Sequence, residues 1–355
     1  MSQGYNPNFN PTGIEGGIDT HQIPWINWPG APGMALKPLR ASGESGMFSA
    51  IVKLSAGAKI PATVHLGPMD LFVLSGALTL PEGPVAATAT VGTFGYIPAN
   101  TQIEAREINQ DVEYLGNFYG PVAFLQGDTR SVSSLLTAND MKLAAANKGL
   151  TLVPNTLAEC MQPRGASHAQ TADPVTISPE VLTVPTATSQ SPAVTSGQAH
   201  FIDTRQVPWL VNEALPDIAL KVLRVSEETG ITSLVVRHNG VAGPHYHLGA
   251  ADFLVLSGHI GYRAGPPEGY GKGVWFFEPA GARHEATQQI GEEDLIYTAN
   301  VYGPVQFDEG PETPIVAVQS WMQYKALADA NNVPLVRSTV AGDTTWLAWA
   351  PLGST

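Results

Sequence analysis

The stretch Pro244-His245-Tyr246-His247-Leu248-Gly249-Ala250-Ala251-Asp252 contains the residues that decide how this chain folds. One residue separates His245 from His247, so on a β-strand both imidazoles lie on the same face. A third imidazole follows in Pro279-Ala280-Gly281-Ala282-Arg283-His284, where a Pro-x-Gly turn leads into a second strand. Two histidines on one strand and one on another leave a transition metal with open coordination positions, as in catalytic sites. The pattern therefore predicts a catalytic metal centre held by His245, His247 and His284.

The spacing of these residues resembles the two signature motifs of the cupin superfamily. The first motif has a glycine, His-x-His, an acidic residue and a second glycine, matched by Gly240, His245, His247, Asp252 and Gly258. The second has a glycine, five residues, Pro-x-Gly, two residues and a histidine, matched by Gly273, Pro279, Gly281 and His284. The resemblance implies an all-β chain folded as cupin barrels of the double-stranded β-helix, or jelly-roll, type.

Asp252 departs from the cupin pattern, because the usual fourth ligand of the family is Glu, which is longer by one methylene. The branch that the chain resembles most contains acetylacetone dioxygenase and dihydroxyacetophenone dioxygenase, and it holds the metal with three histidines. Residues 303–308 also resemble that branch. Two roles for Asp252 stay open: a fourth ligand, or a carboxylate that hydrogen-bonds a ligand histidine.

An internal repeat organises the chain. Ile18-Asp19-Thr20-His21-Gln22-Ile23-Pro24-Trp25 recurs as Ile202-Asp203-Thr204-Arg205-Gln206-Val207-Pro208-Trp209. With 355 residues, the chain is long enough for two domains that each bury a core. We predict two tandem barrels, each followed by a short helix. The N-terminal barrel spans 1–150, a Pro/Thr/Ser-rich linker spans 151–197, and the C-terminal barrel spans 198–355.

The first copy lacks the histidine pattern. When the copies are aligned, His65 matches His247, but Thr63 stands where the second copy has His245. Ile103 likewise stands in the place of His284. One remaining imidazole does not hold a metal tightly, so we expect a degenerate copy with a structural role. A metal-free small-molecule pocket is the other interpretation of this barrel.

Composition and charge exclude several classes of function. A formal net charge of −13, with 18 Lys and Arg residues, gives no basic footprint for nucleic acid. No apolar run approaches membrane-spanning length, and residues 1–12 lack the pattern of a signal peptide. The single cysteine, Cys160, has no partner for an intramolecular disulfide. We expect a cytoplasmic protein that binds neither nucleic acid nor membranes, and paired barrels favour a homodimer.

Strand alternation also predicts the lining of the cavity around the histidines. If His245 and His247 face inward, the following strand is expected to place Asp252, Leu254 and Leu256 on the inner face. Such a lining is largely apolar. An apolar cavity with few polar groups suits a small carbonyl compound better than a sugar or a phosphate.

The resemblance implies a metal-dependent dioxygenase with one active site in the C-terminal barrel. With O2, it would cleave a carbon–carbon bond next to a carbonyl in a small diketone or hydroxy-ketone. Fe(II) is the implied cofactor, and Zn, Ni, Cu or Mn stay open because the ligand set does not identify the metal. Two alternatives remain: a non-oxidative isomerase, hydrolase or decarboxylase that uses the metal, and a zinc-bound sensor that is not an enzyme.

Overall fold

The structure is a computed structural model, and it describes residues 17–339 apart from 82, 84, 128–130, 161–172, 185–199, 213–214, 263–265, 285 and 310–312. For His284 the backbone alone is described. Much of the predicted linker, 161–172 and 185–197, therefore lies outside the described residues. The contacts of the chain divide it into two compact units.

The first repeat forms a barrel of short strands, joined by turns and followed by one helix. Its elements are β1 (Ile18–Asp19), β2 (Ile26–Asn27), β3 (Met34–Ala41), β4 (Phe48–Leu54), β5 (Lys59–Ile60), β6 (Thr63–His65), β7 (Met69–Ser75), β8 (Ala77–Leu80), β9 (Ala87–Thr90), β10 (Thr93–Ile97), β11 (Thr101–Ile103), β12 (Arg106–Glu107), β13 (Val112–Phe118), β14 (Val122–Gln126), β15 (Ser131–Leu136) and α1 (Ala138–Asn147).

The second repeat follows the same order after a short helix, α2 (Leu157–Cys160). Its elements are β16 (Phe201–Asp203), β17 (Leu210–Asn212), β18 (Leu215–Val225), β19 (Thr232–His238), β20 (Val241–Ala242), β21 (His245–His247), β22 (Ala251–Ser257), β23 (His259–Gly261), β24 (Val274–Glu278), β25 (Arg283–His284), β26 (Thr287–Ile290), β27 (Ile296–Val301), β28 (Val305–Asp308), β29 (Ile315–Gln319) and α3 (Trp321–Ala330). Among the described residues, 3-10 turns lie at Thr20–Gln22, Pro179–Leu182 and Thr204–Gln206.

Each barrel combines one large antiparallel sheet with smaller ones. The large sheet of the first barrel has the order β16-β10-β7-β13-β4-β3-β2, and that of the second has the order β1-β24-β22-β27-β19-β18-β17. Their central strands are rich in apolar residues and buried along almost their whole length, as expected for strands covered on both faces. Stacked aromatic pairs pack within the barrels, Phe48 on Phe118 in the first and Phe253 on Phe276 in the second.

The leading strands of the two repeats are exchanged between the large sheets. β1 pairs with β24, with Ile18 opposite Trp275, and β16 pairs with β10. One compact unit accordingly joins β1 to Val207–Leu335, and the other joins β16 to Thr20–Leu152. The boundaries 1–150 and 198–355 assigned each leading strand to its own repeat. An isolated strand sequence does not specify which sheet edge the strand joins.

The predicted fold class, two tandem barrels with a helix after each, is confirmed. Both closing helices begin with a capping box. Thr137 exchanges hydrogen bonds with Asp140 at α1, and Ser320 does the same with Gln323 at α3. Within the described part of the chain, no helix is long and apolar enough to cross a membrane.

Candidate metal centre

His245 and His247 lie on β21 and both line a cavity in the second barrel. Both residues are buried, and their ring centroids are 5.0 Å apart. The intervening Tyr246 is half-buried, and the guanidinium of Arg283 lies over its ring. The strand therefore directs the two imidazoles to one face, as the spacing of the sequence predicts.

The ring of His245 has one nitrogen fixed by the backbone. Its Nδ1 lies 2.8 Å from the carbonyl oxygen of Gly243, which can only accept a hydrogen bond. The proton of the neutral imidazole is therefore on Nδ1, and Nε2 carries the lone pair. This tautomer suits metal binding through Nε2, and the outer hydrogen bond at Nδ1 holds it in place.

The strand that carries His284 is folded back onto β21 by the Pro-x-Gly turn. Gly281 has φ of 83°, in the left-handed region that favours glycine, and its N–H donates to the carbonyl of His247 over 2.7 Å. In the resulting antiparallel pair, His284 stands opposite His245. Residues opposite each other in such a pair are close neighbours. The backbone thus brings the third predicted histidine next to the first.

Glu278 is a site residue that the sequence analysis missed. It ends β24 and is almost completely buried. Its Oε2 lies 2.6 Å from Nε2 of His247, and its Oε1 accepts a hydrogen bond of 3.2 Å from the hydroxyl of Tyr262. Burial is the main cause that raises the pKa of Tyr262 well above its usual value, and the charge of Glu278 is the second. The phenol therefore stays protonated and can donate.

Comparison of the repeats could have revealed Glu278. Its counterpart in the first barrel is Ile97: Glu278 pairs with Ala251 in the register in which Ile97 pairs with Met69. The position is therefore acidic only in the copy that has the histidines. The same comparison exposed the loss of His245 and His284 from the first copy.

Asp252 is engaged elsewhere. Its carboxylate accepts hydrogen bonds from the hydroxyl of Tyr302 and from the side-chain amide of Asn300. The first barrel repeats this trio, since Asp70 accepts from Tyr119 over 2.6 Å and from Asn117 over 3.0 Å. The trio therefore forms in a barrel without the histidine pattern, which makes it part of the frame.

The predicted lining of β22 is wrong in phase. Ala251 and Phe253 line the cavity, whereas Asp252, Leu254 and Leu256 are not among the lining residues. Neighbouring residues of a strand point to opposite faces, so a shift of one residue reverses the whole set. Asp252 instead faces Tyr302 and Asn300, which bind its carboxylate.

The cavity has a volume of about 140 Å³ and is lined mainly by aliphatic and aromatic side chains. Its polar groups besides His245, His247 and Glu278 include His238, Tyr262, Thr287, Gln319 and the tyrosines Tyr297 and Tyr324. One water needs about 10–15 Å³ of such space, so the volume suits a molecule of about ten non-hydrogen atoms.

His238 and Tyr297 form a second polar group that the sequence analysis did not assign to the cavity. Nε2 of His238 accepts the backbone N–H of Ala242 over 3.2 Å, so the proton of the neutral ring lies on Nδ1. That Nδ1 is 3.3 Å from the hydroxyl oxygen of Tyr297, to which it donates. Burial, followed by the charge of Glu278, raises the pKa of Tyr297 and keeps its hydroxyl hydrogen in place.

The chemistry of these donors fits a divalent transition metal. Imidazole nitrogens suit Fe, Ni, Cu and Zn, and a carboxylate adds a harder oxygen donor. At the cavity, the described side chains of His245, His247 and Glu278 have donors of this kind. Among the side chains that the structure describes, no three His, Cys, Asp or Glu groups converge on one point. The side chain of His284 is not part of that set.

Comparison with known proteins agrees with the fold and the repeat. The ChrR cupin-like domain family matches the chain twice, over residues 15–123 and 197–304. No curated protein sequence matches it. Among solved structures, the chain is similar to a candidate dioxygenase from Nostoc punctiforme, with 13% identity, 86% of this chain and 85% of that chain covered, and a TM-score of 0.50.

Two further solved structures have lower TM-scores. An acetylacetone dioxygenase from Acinetobacter johnsonii is 21% identical, with 34% of this chain and 85% of that chain covered and a TM-score of 0.30. A variant of oxalate decarboxylase from Bacillus subtilis is 12% identical, with 81% of this chain and 76% of that chain covered and a TM-score of 0.44.

Proposed function

Because the chain belongs to the ChrR cupin-like domain family, we propose that its second barrel is a metal-dependent dioxygenase. Its substrate is a small diketone or hydroxy-ketone, in which it cleaves a carbon–carbon bond next to a carbonyl. The observation that carries this proposal is the pair His245 and His247, which lines a mainly apolar cavity together with the buried carboxylate of Glu278.

The proposed ligands are His245, His247 and His284, and Glu278 is either a fourth donor or the partner that orients His247. A bound ion such as Fe(II) supplies Lewis acidity toward the oxygens of the substrate and one-electron chemistry toward O2. This assignment replaces Asp252 with Glu278 as the acidic member of the site. Its support is the contact of 2.6 Å between Glu278 and His247.

The remaining residues bind and orient the substrate. The hydroxyl of Tyr297 accepts from His238, so its own hydrogen is directed to another acceptor, for which a substrate carbonyl oxygen is suited. Phe253 and Phe307 contribute aromatic surface to the cavity wall. An apolar wall excludes water and holds a flat carbonyl compound by contact with its carbon skeleton. Positioning of this kind lowers the barrier without an acid–base pair.

The experiment combines metal content with oxygen uptake. Protein purified without air or chelators is analysed by plasma mass spectrometry and then tested with β-dicarbonyl and hydroxy-ketone compounds. We expect near one iron per chain and substrate-dependent oxygen consumption. His245→Ala and His247→Ala should lose both, while Thr63→His in the first barrel should change neither. Full turnover in a metal-free histidine variant would contradict the proposal.

A non-oxidative metal enzyme is the second candidate, and one observation favours it. Glu278 is a buried carboxylate at the cavity, and such a group can act as a general base beside a metal-polarised carbonyl. Conversion of a carbonyl substrate without oxygen uptake would support this candidate. Stoichiometric zinc without conversion of any substrate would instead support a sensor.

A further inference from the structure

The first barrel also contains a cavity, with a volume of about 40 Å³. Its wall is mostly aliphatic and aromatic, and its polar side chains are Thr63, His65, Arg106 and Tyr114. No Asp or Glu is among the described residues that line it. The cavity therefore contains one permanent cation and no carboxylate to neutralise it.

Arg106 is absent from the second barrel. Its counterpart there is Thr287, because Arg106 pairs with Ile60 as Thr287 pairs with Ala242. Each of the two residues lines the cavity of its own barrel. The first copy has thus lost two metal-binding histidines and gained a guanidinium at a third cavity position. A barrel kept for packing alone has no need of a cation in its interior, because desolvating a charge is costly.

Arg106 is half-buried, and two of its three guanidinium nitrogens are uncompensated. Its Nε and Nη1 atoms are closed to solvent, and neither has a hydrogen-bond partner among the described residues. A buried charge without a partner destabilises a protein far more than a paired one. Burial accordingly lowers the pKa of Arg106. The fork of N–H donors is matched to a planar group with two acceptor oxygens.

The neighbouring groups are neutral and can also donate. Burial, followed by the charge of Arg106, lowers the pKa of His65 to about 3, so its imidazole is uncharged. Its Nδ1 is buried and has no partner in the described part of the chain. Burial raises the pKa of Tyr114 to about 12, so its phenol keeps its hydrogen. None of these groups offers a negative charge to Arg106.

We propose that the first barrel binds a small carboxylate in this cavity, with its two oxygens on the guanidinium of Arg106. At about 10–15 Å³ per water-sized group, a volume of about 40 Å³ holds three or four non-hydrogen atoms. Formate and acetate have this size. A bidentate Arg–carboxylate pair supplies the missing charge and an acceptor for Nε or Nη1, each of which forms a fork with Nη2. This site is separate from the proposed metal centre and does not depend on the function proposed for it.

Thermal unfolding of the full-length protein, treated with chelator, tests the proposal. Sodium acetate and sodium formate should raise the unfolding midpoint saturably, because a ligand that binds only the folded state stabilises it. Acetamide, with the shape of acetate but no charge, should have no such effect. The response should persist in His247→Ala, which separates it from binding in the second barrel.

Two substitutions identify the site. Arg106→Met should abolish the response to acetate and raise the midpoint of the anion-free protein, because it removes a half-buried cation with two enclosed, unpaired nitrogens. Ile97→Glu places a carboxylate at another cavity position, so it should also abolish the response by neutralising Arg106 from within. A saturable acetate response that survives in either variant would overturn the proposal. So would a wild-type response to sodium chloride equal to that with acetate, or no saturable response at all.

Discussion

The assignment of Glu278 and Asp252 leads to opposite expectations for two isosteric substitutions. Glu278→Gln keeps the shape of the side chain but removes the charge that faces Nε2 of His247 at 2.6 Å. Asp252→Asn removes a charge that accepts from Tyr302 and Asn300, away from the cavity lining. If Glu278 serves the metal and Asp252 serves the frame, the first variant should lose metal affinity and the second should lose stability.

The expected magnitudes follow from the contacts. Removal of a group that ligates a metal or orients its ligand typically costs about 10–100-fold in affinity, so Glu278→Gln should bind the metal at least about tenfold more weakly. Asp252→Asn should keep its metal affinity within about twofold. It weakens hydrogen bonds to a buried charged group, each worth about 1.5–3 kcal/mol, so its free energy of unfolding should fall by a similar amount.

Metal affinity is measured by anaerobic competition with a chromophoric chelator, and stability by urea unfolding of the metal-free protein. Asp70→Asn is the matched control, because Asp70 holds the corresponding trio in the first barrel. It should lower stability by about as much as Asp252→Asn, again without changing metal affinity. A loss of metal affinity in Asp252→Asn as large as that in Glu278→Gln would refute the reasoning.

Two further predictions concern the cavities. Since burial lowers the pKa of His65 from 6.5 to about 3, the unfolded chain binds a proton that the folded one does not as the pH falls below 6.5. The free energy of unfolding then falls by about 1.4 kcal/mol per pH unit. Urea unfolding measures this free energy at pH 7 and at pH 5. The decrease between the two pH values should be about 2 kcal/mol smaller in His65→Gln than in the wild type. Tyr297→Phe should lower kcat/KM for the carbonyl substrate about 3–10-fold, the value of one hydrogen bond. Steady-state oxygen uptake measures this change. Tyr114→Phe, in the cavity of the first barrel, is the control and should leave kcat/KM unchanged.

The sequence predicted the fold and the site best where the two copies of the repeat could be compared with each other. The duplication and the common face of His245 and His247 follow from the repeat and from spacing, and the barrel form was implied by the family resemblance. The turn before His284 was also readable, because Pro279 and Gly281 meet the steric needs of a left-handed turn. Asn100, with φ of 62°, serves the same turn in the first copy.

Other features depended on tertiary contacts that no local pattern encodes. The exchange of β1 and β16 is decided by which sheet edge is open to them. Which face of β22 points to the cavity could not be read from that strand alone. The acidic residue that contacts His247 is Glu278 of β24, not Asp252 of β22. The enclosure of Arg106 is of the same kind, because nothing nearby in the chain indicates that its Nε and Nη1 are closed to solvent.

In both barrels, the hydrogen-bonded trio and the cavity lining occupy opposite faces of the same strand. Asp252 and Asp70 hold equivalent hydrogen-bonded trios, whereas their strand neighbours Ala251 and Met69 line the cavities. Because alternate residues point to opposite faces, substitutions toward the cavity leave the trio intact. After duplication, one interior could therefore have His245, His247 and Glu278 while the other has only His65 at the equivalent of His247, together with Arg106. If the first barrel binds the proposed carboxylate, Arg106 is a second chemistry on the same frame.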